Sequence, residues 1–528
     1  MKTNKFKFNR LCLSVMLVTG SIVTAEAAVT AQNIPGSNLN VSTNANGSQT
    51  VNINAPSASG ISHNKYSRFD VNENGLVLNN SKTGSKTSVA GNIVGNHNLD
   101  KSGPARVILN EVTSSHASKL EGSLEVAGNK AHVIVANPNG ITCNGCEFIN
   151  TSRSTLTTGK PVFDGEELKG FKVEKGTITV NNSGWFGMMD NLSEYTDLIG
   201  RYVAVNGYVH AKNLSIAAGR NELVEITDTG IIAQNKLKET QAQNDVLVDV
   251  GALGGMYANK ITVVANDKGV GVRNAGYIIA NNSLNISAQG DIHNTGYGQI
   301  NSAGESTLAS GGKILNQGYS INASSSLNLE AQELANANQI EADTVKIKTE
   351  KTDNSGQIRG YSKLNIDTGD FENNGKIYSQ PAPSSILWSG SNRGNIIINA
   401  SKKFINNGTI AANHDITITA DNITNSGELN AFNKINAEAT TSLTNKGLIT
   451  TGRTMVLSAP VLNNSGKLKS FNSPYYESRI YSPDFHNSGE LDGNFKVIDE
   501  VKSAGEIVKD TNPYDNGKNG LFNVFYGS

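Results

Sequence analysis

Beyond residue 270 apolar and polar side chains alternate with a period of two. Ile416, Ile418 and Ala420 alternate with Thr417 and Thr419, and Ile423, Asn425, Gly427 and Leu429 continue the same phase. Alternation over four to eight residues, bounded by Gly and Asn, predicts strands and turns, with one row of side chains facing a core. An Asn-x-Gly step punctuates the alternation at Asn274 to Gly276, Asn294 to Gly296, Asn316 to Gly318, Asn354 to Gly356, Asn374-Gly375, Asn406 to Gly408, Asn425 to Gly427, Asn445 to Gly447, Asn464 to Gly466 and Asn487 to Gly489. Most intervals are 18 to 23 residues. One step is altered at Asn336-Ala337-Asn338, where Asn replaces the Gly. A longer interval holds Tyr378 to Asn395, with Pro381, Pro383 and Trp388, and predicts a loop thrown out of one coil.

A fixed period near 20 without helical phase implies a solenoid, each coil burying its apolar row against its neighbours. Leucine-rich repeats share the period but require Leu at fixed offsets and a helix per repeat, which the pattern lacks. The fold class expected is all-β, a right-handed parallel β-helix. About twelve coils past residue 270 would stack to roughly 55 Å. Asn at each corner is expected to form a ladder with the Asn above and below. The Gly two residues on is expected to supply permissive backbone dihedrals. Residues 28–270 have the same strand-rich texture without a clean repeat, as an atypical capping unit would.

Composition agrees with an elongated protein. There are 53 Gly, 11 Pro, 6% aromatic and 17% charged residues, too few charges for ordinary disorder and too few aromatics for several compact cores. The net charge of −1 leaves no electrostatic footprint for nucleic acid, so no nucleic-acid partner is expected. The N-terminus carries Lys2, Lys5, Lys7 and Arg10, then a mostly apolar stretch from Leu11 to Val23, then Ala25-Glu26-Ala27. This is the pattern of a secretory signal peptide, cut between Ala27 and Ala28. No later stretch approaches ~18 consecutive apolar residues.

Two segments of residues 28–270 stand out. Asn137-Pro138-Asn139-Gly140 is a tight β-turn by residue type. Cys143 and Cys146, the cysteines left once the signal is removed, could be a redox pair, half of a zinc site or a disulfide. Redox pairs sit at a helix N-terminus and a zinc site needs two further ligands, so a disulfide closing a four-residue loop is expected. The eight His are scattered, and no HExxH, GxSxG or P-loop occurs. Asp415, Asp421 and Glu428 fall on outward phases. The sequence reading is therefore of a non-enzymatic chain with no catalytic residue, metal or cofactor.

The N-terminal block also resembles a known family. Gly60-Ile61-Ser62-His63-Asn64, Phe69-Asp70-Val71 and Gly75-Leu76-Val77-Leu78-Asn79-Asn80 look like the opening of the haemagglutination-activity domain of the filamentous-haemagglutinin family, the secreted partners of two-partner secretion. Asn137 to Gly140 resembles its NPNG-type motif, and Thr142 to Asn150 its CxxC subgroup, shared with secreted haemolysins and contact-dependent inhibition proteins. Tyr195-Thr196-Asp197, Ala218-Gly219-Arg220-Asn221, Ala252 to Ala258 and Gly269 to Asn274 extend the likeness in order. The resemblance implies export through the periplasm and a cognate outer-membrane barrel transporter, to the surface or exterior of a Gram-negative bacterium. It also implies that the NPNG turn matters for secretion.

The expected organisation is a signal peptide over 1–27, a secretion domain over 28–270, β-helix repeats over 271–505 and a tail or cap over 506–528. The expected function is that of a surface or extracellular adhesin contacting host or bacterial cells, with Trp388 in a candidate contact loop. The alternative is a haemolysin or contact-dependent-inhibition toxin relative, including a truncated remnant without a toxin domain.

Overall fold

The computed structural model describes residues 28–181, 193–234, 246–379, 394–471 and 475–502. The described residues wind as a right-handed parallel β-helix dominated by one 40-stranded sheet, the hand that strand twist favours for parallel crossovers. Each coil contributes short strands to three faces. On the first face Ile61–Phe69, Val107–Val112, Ala131–Ala136, Thr151–Thr157, Tyr195–Gly200 and Asn213–Ala218 stack in parallel register. The same face continues through Gly255–Ala265 and Tyr277–Ala288 to Phe495–Ile498. That amounts to about eighteen rungs, or roughly 80 Å of stacking at ~4.8 Å each.

Rungs are therefore present well before residue 270. The block without a legible repeat is helical too, and parallel stacking crosses residue 270, with Ile261 opposite Leu284 and Val272 opposite Ile292, although a bulge falls between Val270 and Val272. Loops of unequal length hide the period there. Only the third face changes character, being a separate sheet in which Gln49–Asn52, Leu76–Asn80, Ser123–Gly128 and Glu147–Ile149 run parallel. At the start of the stack Val29–Ala31 pairs antiparallel with Ile61–Phe69, and Asn40–Thr43 with Gln49–Asn52. These antiparallel strands cover the first rungs' edges, which would otherwise template pairing with another chain.

One continuous apolar core runs along the axis from Val29 to Ile480. In the shaft it is built of Ile, Leu, Val and Ala in register, such as Ile416 opposite Ile435 and Leu443 opposite Leu462. Phe371 and Phe404 stack inside at 5.0 Å, flanking the interval that contains the inserted loop. Lys376–Ser379 ends before the insertion and Asn395–Asn406 resumes after it. The Ser379 hydroxyl bonds the Gly394 carbonyl, so the ends of the insertion meet without breaking the stack. Trp388 itself lies outside the described residues.

The corner asparagines form the expected ladder, and it is polar. Each Nδ2 donates to Oδ1 of the next rung from Asn274 through Asn294, Asn316, Asn336, Asn354, Asn373, Asn406, Asn425, Asn445 and Asn464 to Asn487, at 2.7 to 2.9 Å. Chains of buried amides polarise one another in this arrangement. The ladder residue of its coil is Asn373, not Asn374, and Asn336 keeps its place although the following Gly is absent.

The corner glycines serve a different purpose from the one the sequence suggested. In the Asn-x-Gly series positive φ occurs at Gly296 alone. Elsewhere the rungs approach too closely for a side chain: a Cβ on Gly408, Gly427, Gly447, Gly466 or Gly489 would lie 2.0 to 2.1 Å from the carbonyl oxygen of the glycine one rung earlier.

A four-stranded antiparallel sheet of Lys160–Asp164, Glu167–Val173, Asn221–Thr227 and Gly230–Gln234 covers the outer side of the first face. Beneath it Leu109, Ile134 and Ala136 meet Phe171, and Ile199 and Ala217 meet Val173 and Val224. The first face is thus apolar on both sides here, as the run His132-Val133-Ile134-Val135-Ala136 reflects.

Candidate functional site

The NPNG segment is the corner between Ala131–Ala136 on the first face and Ile141–Cys143 on the second. The Gly140 amide donates to the Asn137 carbonyl at 3.1 Å, closing a four-residue turn. Gly140 takes φ of +115°, whereas Asn139 stays at negative φ. The turn is therefore of type I, with Pro138 at the position whose φ it presets and Gly140 at the exit.

Asn137 is fully buried. Its Nδ2 donates to the His116 carbonyl and to Ser118 Oγ, both at 2.9 Å, and its amide donates to the Thr157 carbonyl at 2.8 Å. One residue therefore ties its own corner to the rungs on either side. Asn137 Oδ1 also accepts from the Asn139 amide at 3.0 Å, while Asn139 Nδ2 donates to the Ser114 carbonyl at 2.7 Å. Lys175 Nζ reaches Asn139 Oδ1 at 3.3 Å, and a Cβ on Gly176 would stand 2.8 Å from the Pro138 carbonyl. Pro138 and Asn139 remain half-buried at the surface of this corner.

Three residues on, Cys143 and Cys146 are joined as a disulfide with Cα atoms 5.4 Å apart, both cysteines buried. They stand where the second face hands over to Glu147–Ile149 of the separate third-face sheet. Gly145 at φ +84° and Asn150 at φ +55° make the reversals on either side, conformations that Gly and Asn tolerate. Of the expected signal junction, Ala28 opens the described residues and Ala27 lies outside them.

Sequence reading missed a buried polar cluster beside this corner, on the outer side of the first face. Arg153 Nε and Nη2 donate to the two Asp197 carboxylate oxygens at 2.6 and 2.8 Å, and Thr155 Oγ1 donates to Asp197 Oδ2 at 2.7 Å. Arg153 also donates to the carbonyls of Thr227 and Gly230 and lies 5.0 Å from the Tyr195 ring centroid. Burial pushes the Asp197 carboxyl up, and the hydrogen bonds and charge of Arg153 pull it back. Thr155 Oγ1 meets His132 Nε2 at 2.9 Å. Burial, reinforced by the Arg153 charge, holds this imidazole down at about 3. Among the described residues no three His, Cys, Asp or Glu side chains converge as a metal site requires. Asp421 is exposed, and Asp415 and Glu428 are half-buried on the outward rows of the shaft.

Residues 21–294 match the family described as TPS secretion domain. The 16S rRNA endonuclease CdiA of Enterobacter cloacae subsp. cloacae is 35% identical over 460 residues, covering 84% of this chain and 13% of that protein. Toxin CdiA of Yersinia pestis is 41% identical over 312 residues, or 58% of this chain and 9% of that protein. A crystal structure of the filamentous hemagglutinin secretion domain is similar at 27% identity and a TM-score of 0.45, covering 66% of this chain and 97% of that one. The chain spans 7 to 13% of the length of these and the other CdiA relatives it matches.

The expectation of a non-enzymatic protein is corrected by these relatives. Similarity covering up to 84% of the chain is to proteins named as an rRNA endonuclease, a toxin and tRNA nucleases. The scattered His and acidic residues of a β-helical shaft are therefore no guide to whether the protein acts as an enzyme. The chain belongs to the TPS secretion-domain family: it is an exoprotein of two-partner secretion, a membership that implies an outer-membrane transporter as its partner and a route through the periplasm to the exterior of a Gram-negative cell.

Proposed function

We propose that these residues are the export and display module of a contact-dependent-inhibition toxin relative, with residues 28–270 as the transporter-recognition unit and the shaft as the stalk that follows. The observation that carries the reading is the 460-residue match to a CdiA endonuclease, which extends from the N-terminal rungs into the shaft. A solenoid suits export because each coil needs only the preceding one as template and can fold as it emerges. The Asn ladder supports this order, since each arriving rung brings the Oδ1 that accepts from the Asn before it.

In this reading the NPNG corner shapes the secretion domain, and Pro138 and Asn139 are the parts of it that the transporter can touch. The adhesin reading is the weaker of the two, because the CdiA relatives carry toxin and nuclease names. The test is co-expression of the whole exoprotein to which these residues belong with its cognate transporter, followed by mixing producers with sister bacteria. Growth arrest with ribosomal or transfer RNA cleavage in target cells supports the toxin reading. Attachment without arrest, retained by purified protein, refutes it in favour of adhesion.

A further inference from the structure

We propose that Arg153 and Asp197 form a latch that seats the second hairpin, Asn221–Gln234, and so closes the antiparallel sheet as the last step in assembling the N-terminal rungs. The inference concerns how the secretion domain folds and holds whether the exported protein is a toxin or an adhesin.

The chain order sets up the problem. The first hairpin, Lys160–Val173, leaves the helix after the rung that holds Arg153, and the second leaves two rungs later, after Asn213–Ala218. They join through Phe171 opposite Val224 and Val173 opposite Asn221. Until the second hairpin arrives, Ile199 and Ala217 have only Val173 of the first hairpin against them, and the sheet has an open edge. Apolar contact favours covering them but does not choose a register, and a slip of one residue would turn Val224 and Ile226 outward.

The latch supplies direction. Asp197 sits opposite Thr155 one rung on, so the carboxylate and guanidinium meet once two rungs have stacked. The carboxylate occupies two of the guanidinium's donor directions, and the remaining donation goes to the Thr227 and Gly230 carbonyls at the turn of the second hairpin. A planar, rigid fork can donate to such carbonyls in one placement. Gly230, at φ +156°, brings the turn down to the cluster, where a Cβ would be 3.7 Å from Ser215 Oγ. With the hairpin seated, Asp197 is fully buried and Arg153 nearly so. A buried pair without those carbonyls would leave guanidinium donors unsatisfied at a cost the apolar contacts must offset. The pair therefore favours closure only in the correct register.

The test is hydrogen exchange on the full secreted chain, comparing wild type with Arg153→Lys, Arg153→Met and Asp197→Leu. Arg153→Lys keeps the charge but loses the fork. The expected result is at least tenfold faster exchange in the amides of 221–234 in each variant, with 107–112 and the shaft rungs unchanged. Wild-type exchange in 221–234 in Arg153→Lys and Arg153→Met would overturn the latch. So would an equal rise across all N-terminal rungs, which would make the pair a general stabiliser. If the single variants fail to fold, the double variant Arg153→Met with Asp197→Leu, which buries no lone charge, decides. A folded domain with a fast-exchanging hairpin supports the proposal, and a fully protected hairpin refutes it.

Discussion

The N-terminal rungs and the shaft share one helix but are held by different means. In the shaft one corner of most coils repeats the same two devices, a buried Asn bonded to the next Asn and a Gly packed against a neighbouring backbone. The N-terminal rungs also crowd glycines against backbone, at Gly122 and Gly254, but add contacts of other kinds. Asn137 binds His116, Ser118, Thr157 and Asn139, Arg153 pairs with Asp197, and a disulfide, antiparallel edge strands and an outer sheet are added. The difference teaches that stacking alone does not require individuality. A shaft coil can resemble its neighbours because its partner is another coil. A unit that starts the stack needs contacts found nowhere else among the described residues.

The strongest way to break the comparison is Gly427→Ala. The new Cβ would fall 2.0 Å from the Gly408 carbonyl oxygen, so the rungs must separate, at an expected cost of about 3 kcal/mol or more. Gly165→Ala, in a hairpin turn at φ +59° with nothing within 4 Å, should cost only about 1–2 kcal/mol from its dihedral. Local hydrogen exchange around each site measures both, and equal effects would refute close approach as the reason for the corner glycines.

Asn406→Ala and Asn137→Ala sharpen the comparison at the next level. The first strands the Asn373 donor and the Asn425 acceptor, at about 1–3 kcal/mol for buried groups left unpaired. Exchange should quicken in the adjoining rungs while secretion continues. Asn137→Ala should cost a similar amount but trap the protein in the periplasm, as quantitative fractionation would show. Normal secretion of Asn137→Ala would place the motif with the shaft asparagines as a structural device alone.

Replacing Cys143 and Cys146 by Ser should cost about 2 kcal/mol, the chain-entropy value for so short a loop. Fluorescence-monitored unfolding of the N-terminal rungs should register the loss, and shaft exchange should not.

The effect that vanishes near neutral pH is one of acid. His132 is held at about 3 in the folded chain, against about 6.5 unfolded. Between these values the unfolded chain binds a proton that the folded chain does not, so stability falls as pH falls. The slope is at most about 1.4 kcal/mol per pH unit. His132→Gln should flatten the acid limb of the N-terminal rungs and leave the shaft's pH dependence as it was. An unchanged limb would mean that the acid-sensitive group lies elsewhere.

Much of this was legible in the chain itself. The two-residue alternation and the Asn-x-Gly period determined strands, coil length, parallel stacking and the Asn ladder, because each depends on neighbours within a coil or one coil away. The ordered motifs from Gly60 to Asn274 pointed to the secretion family. Tertiary structure alone decided the rest. It showed that rungs begin near Ile61, that the corner glycines answer to crowding between backbones, and that Asn373 rather than Asn374 carries the ladder. It also brought Arg153 to Asp197, 44 residues away, and to Gly230, 77 away. The physical reason is one of range. A repeat writes its contacts into every period, whereas a contact made once, between segments joined by loops of unequal length, leaves no period in the chain.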